Sequence, residues 1–284
     1  MPQQLINVAE AGAQGTLQKM ALEATAPVSY TLRLGTERIA LNPYLDRVIH
    51  LQFTGRILCV NCGRKTNKSF SQGYCYPCFK KLAQCDTCIM RPEICHFAHG
   101  TCREPEWGER HCFQPHVVYL ANSSGLKVGI TKPSQLPTRW LDQGAIQALP
   151  IFEVDSRQQS GMVEALLREK VSDRTQWQRM LQGQNAPVDL LAERDGLLRH
   201  FEPGLAQLRE QFGAQSIREI SDQDVLELDY PVLAYPTKVV SLNFDKQPRV
   251  GGRLMGMKGQ YLIFDSGVIN LRKFGGYEVM FEAA

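Results

Sequence analysis

From Ser29 the chain alternates apolar and polar positions, in S-Y-T-L-R-L at 29–34, R-I-A-L at 38–41 and R-V-I-H-L-Q-F at 47–53, with Gly35 and Asn42-Pro43 between the runs. A period of two punctuated by turn residues predicts an antiparallel meander. The two dozen residues before it carry little periodicity and are expected to form a loose or helical lead-in. Apolar patterning then fades until H-V-V-Y-L-A at 116–121, which turns through N-S-S-G at 122–125 and returns as L-K-V-G-I-T at 126–131. Two short runs around such a turn predict a hairpin. A short helix at 137–145 is expected to stop at Gly144, and the apolar run at 147–154 supplies a third strand. A longer helix follows from Ser160, with Met162, Leu166, Val171, Trp177 and Met180 among its apolar positions.

Residues 188–212 carry an apolar stripe of Leu191, Leu197, Leu198, Phe201, Leu205 and Leu208, which predicts helix in two pieces, broken at Pro203-Gly204. This pair is expected to pack as a connector. The tail offers six short strand-like segments, at 230–235, 238–244, 251–259, 260–265, 268–272 and 277–281, cornered by glycines. They predict a small barrel-like element, too short to stand alone with two free edges. It is expected to pair with the meander and bring the chain ends together. The resulting division is 1–54, a β-meander; 55–115, a cysteine module; 116–182, an α/β unit; 183–227, a helical connector; and 228–284, a C-terminal β-element.

All nine cysteines fall between Cys59 and Cys112. Cys59-x2-Cys62 and Cys75-x2-Cys78 offer two turns, each converging two thiolates, and together the four soft donors of a tetrahedral structural zinc. A single redox dithiol would use one such turn, and an iron–sulfur cluster is the other alternative. The second group holds Cys85, Cys88, Cys95, Cys102 and Cys112, with His96, His99 and His111 among them. These exceed one four-ligand shell. Cys85 and Cys88 form the natural first pair, and two of Cys95, Cys102 and Cys112 are expected to complete a second zinc. Two metals explain how a stretch so poor in apolar residues could be ordered.

The 284 residues carry 32 Lys and Arg against 29 Asp and Glu, a net charge of +3, so a chain-wide basic field is absent and any nucleic-acid surface must be local. One candidate lies between Gly55 and Lys81. Arg56, Arg64, Lys65, Lys68, Lys80 and Lys81 occur there without an acidic residue, interleaved with Phe70, Tyr74, Tyr76 and Phe79. Basic groups attract phosphate and aromatic faces stack on unpaired bases. A four-thiolate zinc carries a net charge of −2 and offsets part of that patch, and the aromatics could equally pack the module. Lys132, Arg157 and Arg168 could extend a phosphate track, while Arg253, Lys258, Arg272 and Lys273 read as solvated positions of the barrel-like element. With no export signal at the start of the sequence and no apolar run long enough to span a bilayer, a cytoplasmic protein without membrane contact is expected.

The order strand, strand, helix, strand, helix over about 116–180, with V-V-Y at 117–119, K-V-G at 127–129, Arg139 and Glu164, resembles the GIY-YIG nuclease superfamily. Val117 departs from the first motif's glycine, and Lys127 from the tyrosine usual in the second. The whole chain also resembles an uncharacterised bacterial family in which a zinc-ribbon-like segment precedes such a domain. The resemblance implies an α+β fold: a GIY-YIG-like three-stranded antiparallel sheet with helices, preceded by a two-zinc module and combined with a small β-barrel-like element from both chain ends. It also implies a phosphodiester-cleaving site of Tyr119, Lys127, Gly129, Arg139 and Glu164. Glu164 would bind Mg²⁺ or Mn²⁺, Arg139 would stabilise charge on phosphorus, and Tyr119 would orient or deprotonate water. Lys127 could hold a phosphate oxygen, or act as a base if its neighbours depress its pKa. The expected function is a metal-dependent endonuclease acting on DNA or RNA. The alternatives are a catalytically inactive nucleic-acid-binding or protein-interaction module, and a thiol redox enzyme.

Overall fold

The computed structural model describes residues 12–283, arranged as three antiparallel sheets with helices against one of them. The largest sheet runs in the order Ala13–Thr16, Tyr277–Ala283, Val48–Leu58, Arg249–Lys258, Tyr261–Phe264 and Gly267–Asn270, with Lys65–Thr66 added to Val48–Leu58. Both ends of the chain therefore share one sheet, and Val48–Leu58 lies between two strands of the C-terminal region. Residues 249–253 pair with Val48–Leu58, while residues 254–258 pair with Tyr261–Phe264 with a bulge between Leu254 and Gly256. Such a corner re-aims a strand without breaking it.

Several expectations change. Ala13–Thr16 and Ala21–Glu23 are strands rather than a loose or helical lead-in; the first eleven residues of that lead-in lie outside the described residues. The meander is split. Ser29–Leu34 lies between Ala21–Glu23 and Glu37–Ala40 in a separate three-stranded sheet, and Asn42–Tyr44 forms a 3-10 turn that sends Val48–Leu58 into the large sheet. In the tail, the segments 230–235 and 238–244 make only the isolated bridges Val232 to Gly256 and Ser241 to Val268. Pro231 and Pro236 supply no N–H there, so a continuous ladder cannot form.

The central sheet runs Ile217–Glu219, Gln147–Val154, His116–Asn122, Leu126–Thr131, with Leu226–Glu227 also on Gln147–Val154. Its three longer strands match the apolar runs of the sequence. Its two short strands come from the region expected to be a purely helical connector; at three and two residues they are too short for a period to show. The long helix, Leu190–Phe212, is continuous through Pro203 rather than broken. Its buried Leu197, Phe201, Leu205 and Leu208 carry one stripe across the proline, and that packing outweighs the missing hydrogen bond. The helix expected from Ser160 to Met180 is interrupted. Arg157–Leu167 ends early, the Val128 N–H donates to the Ser172 carbonyl, and Trp177–Leu181 forms a second short helix. The intervening segment thus pairs along the free edge of Leu126–Thr131.

The central sheet is covered on both faces. Val117, Tyr119 and Ala121 join Trp140, Leu141 and the large sheet in one apolar core. Val118, Leu120, Val128 and Ile130 pack with Val163 and Leu167 and with the stripe of the long helix in another. Alternate residues of one strand therefore serve two cores, and strands buried on both faces read as continuous apolar runs.

Candidate functional site

The hairpin fixes the floor of the site. Tyr119 on His116–Asn122 sits opposite Gly129 on Leu126–Thr131, and a Cβ at position 129 would stand 2.6 Å from the tyrosine Cζ and Oη. Only glycine leaves room for the ring to lie there. A register shift between Val118 and Tyr119 against Gln147–Val154, beside Pro150, locally distorts the same strand. Bulges of this kind redirect a side chain.

Lys127 lies on the second strand of the hairpin and is 4% exposed. The Tyr119 hydroxyl and the Lys127 ammonium both donate to the side-chain oxygen of Gln143, each at 3.1 Å. Gln143 follows the short helix Thr138–Asp142, whose stop at Gly144 (φ 66°) agrees with the sequence. Nothing in the sequence distinguishes this glutamine from its neighbours, because its role comes from where the turn points it. Arg139, on the same helix, and Glu164, on Arg157–Leu167, are half-buried above the floor. The buried Nε of Arg139 has no hydrogen-bond partner.

Electrostatics ties these side chains together. Burial pushes Glu164 up to about 7, with Asp173 adding to the effect and Arg168, Lys127 and Arg139 opposing it. Burial, then Arg139, brings Lys127 down to about 8. Burial also raises Tyr119, against the pull of Arg139. Tyr119, Lys127, Gly129, Arg139 and Glu164 are thus one neighbourhood, with two cations and one carboxyl at a partly desolvated surface. Such an arrangement can hold an anion and move a proton near neutral pH.

The other candidates separate into groups. Arg64, Lys65 and Lys68 are exposed near the cysteine knuckle; Lys68 lies over the Phe70 ring at 5.4 Å, and exposed Arg56 pairs with Glu278 at 3.2 Å. Phe70 stacks on Phe79 and meets Tyr76 at a tilt, so these aromatics pack largely on one another. Lys132 is half-buried beside Cys112 and Arg157. Of the four cations expected to be solvated, Lys258 is 1% exposed against Tyr230 and Tyr235. Arg272 is half-buried, with its Nε donating to Gln72 at 2.6 Å. Tyr230 and Tyr235 beside Lys258, and Gln72 beside Arg272, come from other segments of the chain, which a local pattern does not report.

Cys59, Cys62, Cys75 and Cys78 place all four sulfurs within 4.8 Å of one another and could hold a metal ion. Cys62 and Cys75 are 3.8 Å apart, about the sulfur–sulfur spacing of a tetrahedral site with 2.3 Å bonds. Cys59 follows directly on Val48–Leu58, Gly63 turns the knuckle with φ 69°, and Cys75 caps the helix Tyr76–Lys81. Burial pushes the Cys59 thiol up, but the backbone N–H groups of Cys75, Cys62 and Asn61 outweigh it and bring it down to about 6. A thiolate is the form that binds metal.

The second group is arranged differently from the expectation. Cys85 is buried beside Cys59 and Ser71, on the side of the first knuckle, because the 3-10 turn Ala83–Cys85 faces that way. It does not pair with Cys88. Asp86, Cys88 and His96 form a second set close enough to hold a metal ion. His99 is exposed, and His111 is stacked on Trp107 at 4.3 Å with its Nδ1 bonded to the Trp107 carbonyl. The module docks on the helix that carries Glu164. The Arg157 Nη2 donates to the Ile89 carbonyl at 2.6 Å, Arg168 pairs with Glu93 at 3.2 Å, and Gly161 admits Pro92, to which a Cβ would come within 2.6 Å.

No helix among the described residues is long and apolar enough to cross a membrane. A family model described as "Protein of unknown function (DUF2797)" matches residues 46–279. No curated protein and no solved structure matches the chain.

Proposed function

We propose that this chain, which belongs to the DUF2797 family, acts on nucleic acid as a metal-dependent phosphodiester endonuclease of GIY-YIG type. The observation that supports this reading is convergence. Tyr119, Lys127, Gly129, Arg139 and Glu164 come from four separate elements, yet the side chains meet around one partly desolvated surface. Arg139 would hold the phosphate and carry the charge that builds on its oxygens. The water oxygen bonds to phosphorus while the bond to the departing nucleotide oxygen breaks. With its own O–H donated to Gln143, Tyr119 orients the water, and Lys127, neutral in part near pH 8, takes the proton.

One carboxylate is a sparse donor set, but it fits Mg²⁺ or Mn²⁺, which retain waters and take further oxygens from the phosphate. Glu164 would hold that ion, which supplies Lewis acidity at the phosphate. Zinc is the metal that suits the four thiols of Cys59, Cys62, Cys75 and Cys78. Arg64, Lys65 and Lys68 beside them would add a salt-sensitive grip on DNA or RNA. Such a protein would work in the cytoplasm.

A second reading, an inactive module that binds nucleic acid or protein, is favoured by the closure of the floor: Tyr119 is 0% exposed and Lys127 4%, both engaged by Gln143. The test is cleavage of labelled single-stranded, double-stranded and branched DNA and RNA by wild type and Glu164→Ala, with Mg²⁺, Mn²⁺ or EDTA. Metal-dependent cutting lost in Glu164→Ala, with folding intact, is expected. No cutting but salt-sensitive binding by both proteins leaves the binding module, and neither cutting nor binding leaves a protein partner.

A further inference from the structure

The second cysteine group contains two competing donor sets. Asp86, Cys88 and His96 are the closest together, but two of the three are engaged elsewhere. The Asp86 carboxylate accepts the Thr87 N–H at 2.6 Å, as the cap of the helix Thr87–Met90, and pairs with Arg103 at 2.8 Å. His96 Nδ1 is bonded to the Thr101 hydroxyl at 2.8 Å, and its Nε2 faces the same Asp86 carboxylate at 3.5 Å. These contacts describe a polar staple that closes the loop.

The thiols have no such employment. Cys88 from Thr87–Met90, Cys95 after the 3-10 turn Pro92–Ile94, Cys102 from the following loop and Cys112 at the end of Pro105–Cys112 line one shared cavity. All four are unbridged. Gly108 on the last helix leaves space beside Cys102, whose sulfur would lie 3.4 Å from a Cβ there. Four thiols from four consecutive pieces of a chain poor in apolar residues make the donor set of a structural zinc.

Charge around the cavity gives a second, independent indication. Zinc with four thiolates carries a net charge of −2. Two cations of the central domain stand beside Cys112: Arg157, whose buried Nε has no hydrogen-bond partner, and Lys132. A buried guanidinium with an unused donor is costly unless an anion faces it. Protonated thiols give it none, whereas metal-bound thiolates give it one.

We propose that Cys88, Cys95, Cys102 and Cys112 bind a second zinc ion, with Arg157 and Lys132 as its charge-compensating neighbours. Cys85, Asp86 and His96 lie outside its shell. Arg157 is the first residue of the helix that bears Glu164, so this metal fixes the module to the element on which the candidate site is built. Lys132 then belongs to the zinc rather than to a phosphate track. The inference is independent of the nuclease reading, because its test counts metal and requires no activity.

Native mass spectrometry and elemental analysis of the full chain purified with zinc are expected to show two zinc ions per chain. Cys102→Ser and Cys112→Ser should each lower the count to one, while Cys85→Ser, Asp86→Asn and His96→Ala keep two. Alkylation of the zinc-loaded wild type, read by peptide mass, covers the case in which a cysteine variant does not fold; Cys88, Cys95, Cys102 and Cys112 should react only after the metal is stripped. One zinc in the wild type, or free alkylation of these four in the loaded protein, overturns the proposal. So does loss of one zinc from Asp86→Asn and His96→Ala with two retained in Cys102→Ser and Cys112→Ser.

Discussion

The ring of Tyr119 covers Gly129 across the central hairpin so closely that a Cβ at 129 would stand 2.6 Å from the phenol oxygen. Both residues are paired backbone partners, so neither strand can retreat without breaking the ladder. Gly129→Ala is therefore expected to cost about 1–3 kcal/mol, the usual penalty of overpacking, in urea denaturation. In Tyr119→Ala the same substitution should cost far less, because the ring that it meets is gone. Equal costs in the two backgrounds would show that the glycine serves the backbone instead.

Lys258 makes a different prediction, about charge. It is 1% exposed, and burial lowers its pKa to about 8. The unfolded chain, with an ordinary value near 10.5, binds the extra proton between those two values, so stability rises with pH from 8 to 10.5 and the full penalty applies below 8. Lys258→Met is expected to stabilise the protein at pH 7 by on the order of 1–3 kcal/mol, with the gain shrinking toward pH 10. Denaturation midpoints at the two pH values measure it. A less stable variant at pH 7 would mean that the ammonium's contacts with the Tyr230 and Tyr235 rings outweigh desolvation.

His116 should act at acid pH. Burial lowers it to about 4, its Nδ1 is bonded to the Gln114 carbonyl, and its buried Nε2 has no partner. A folded value below the unfolded one near 6.5 means that the unfolded chain takes up a proton first as pH falls. Stability is thus kept above 6.5 and lost progressively toward 4, by about 1–3 kcal/mol. His116→Gln should lose less over that interval. Parallel acid titrations of unfolding free energy would decide it, and curves of the same shape would remove His116 from the account.

Metal removal should act locally. The segment from Cys59 to Lys81 buries few apolar groups, so the four thiols supply much of its order. Stripping the metal under reducing conditions is expected to open new protease sites within residues 59–81 while the central sheet stays resistant. An unchanged digestion pattern would show that packing of Gly275 and Gly276 against Gln72 and Gly73 suffices by itself.

The hairpin at 116–131 and the third strand were readable because strands covered on both faces carry unbroken apolar runs. The grouping of Cys59, Cys62, Cys75 and Cys78 was readable because two C-x2-C turns each bring two thiols to one point, and the four sulfurs lie close enough to hold a metal ion. Gln143 was not, since a single amide becomes important only when a turn aims it at two donors from other elements. Cys85 misled for a related reason. Its spacing to Cys88 is that of a ligand pair, but the 3-10 turn between the knuckles points it backward. The burial of Lys258 and the split of the meander depend on contacts between residues far apart in the chain, to which a window of ten residues is blind.

The placing of Val48–Leu58 between Arg249–Lys258 and Tyr277–Ala283 also sets an order of events during synthesis. That strand leaves the ribosome on the order of two hundred residues before either neighbour, at a translation rate that leaves it unpaired for many seconds. Closing so long a loop costs entropy until the intervening chain is compact. The cysteine module and central sheet, which complete themselves from nearer segments, are then the parts that shorten the loop. The large sheet becomes the last piece to close, and the waiting edge of Val48–Leu58 the place where a stalled or truncated chain would aggregate.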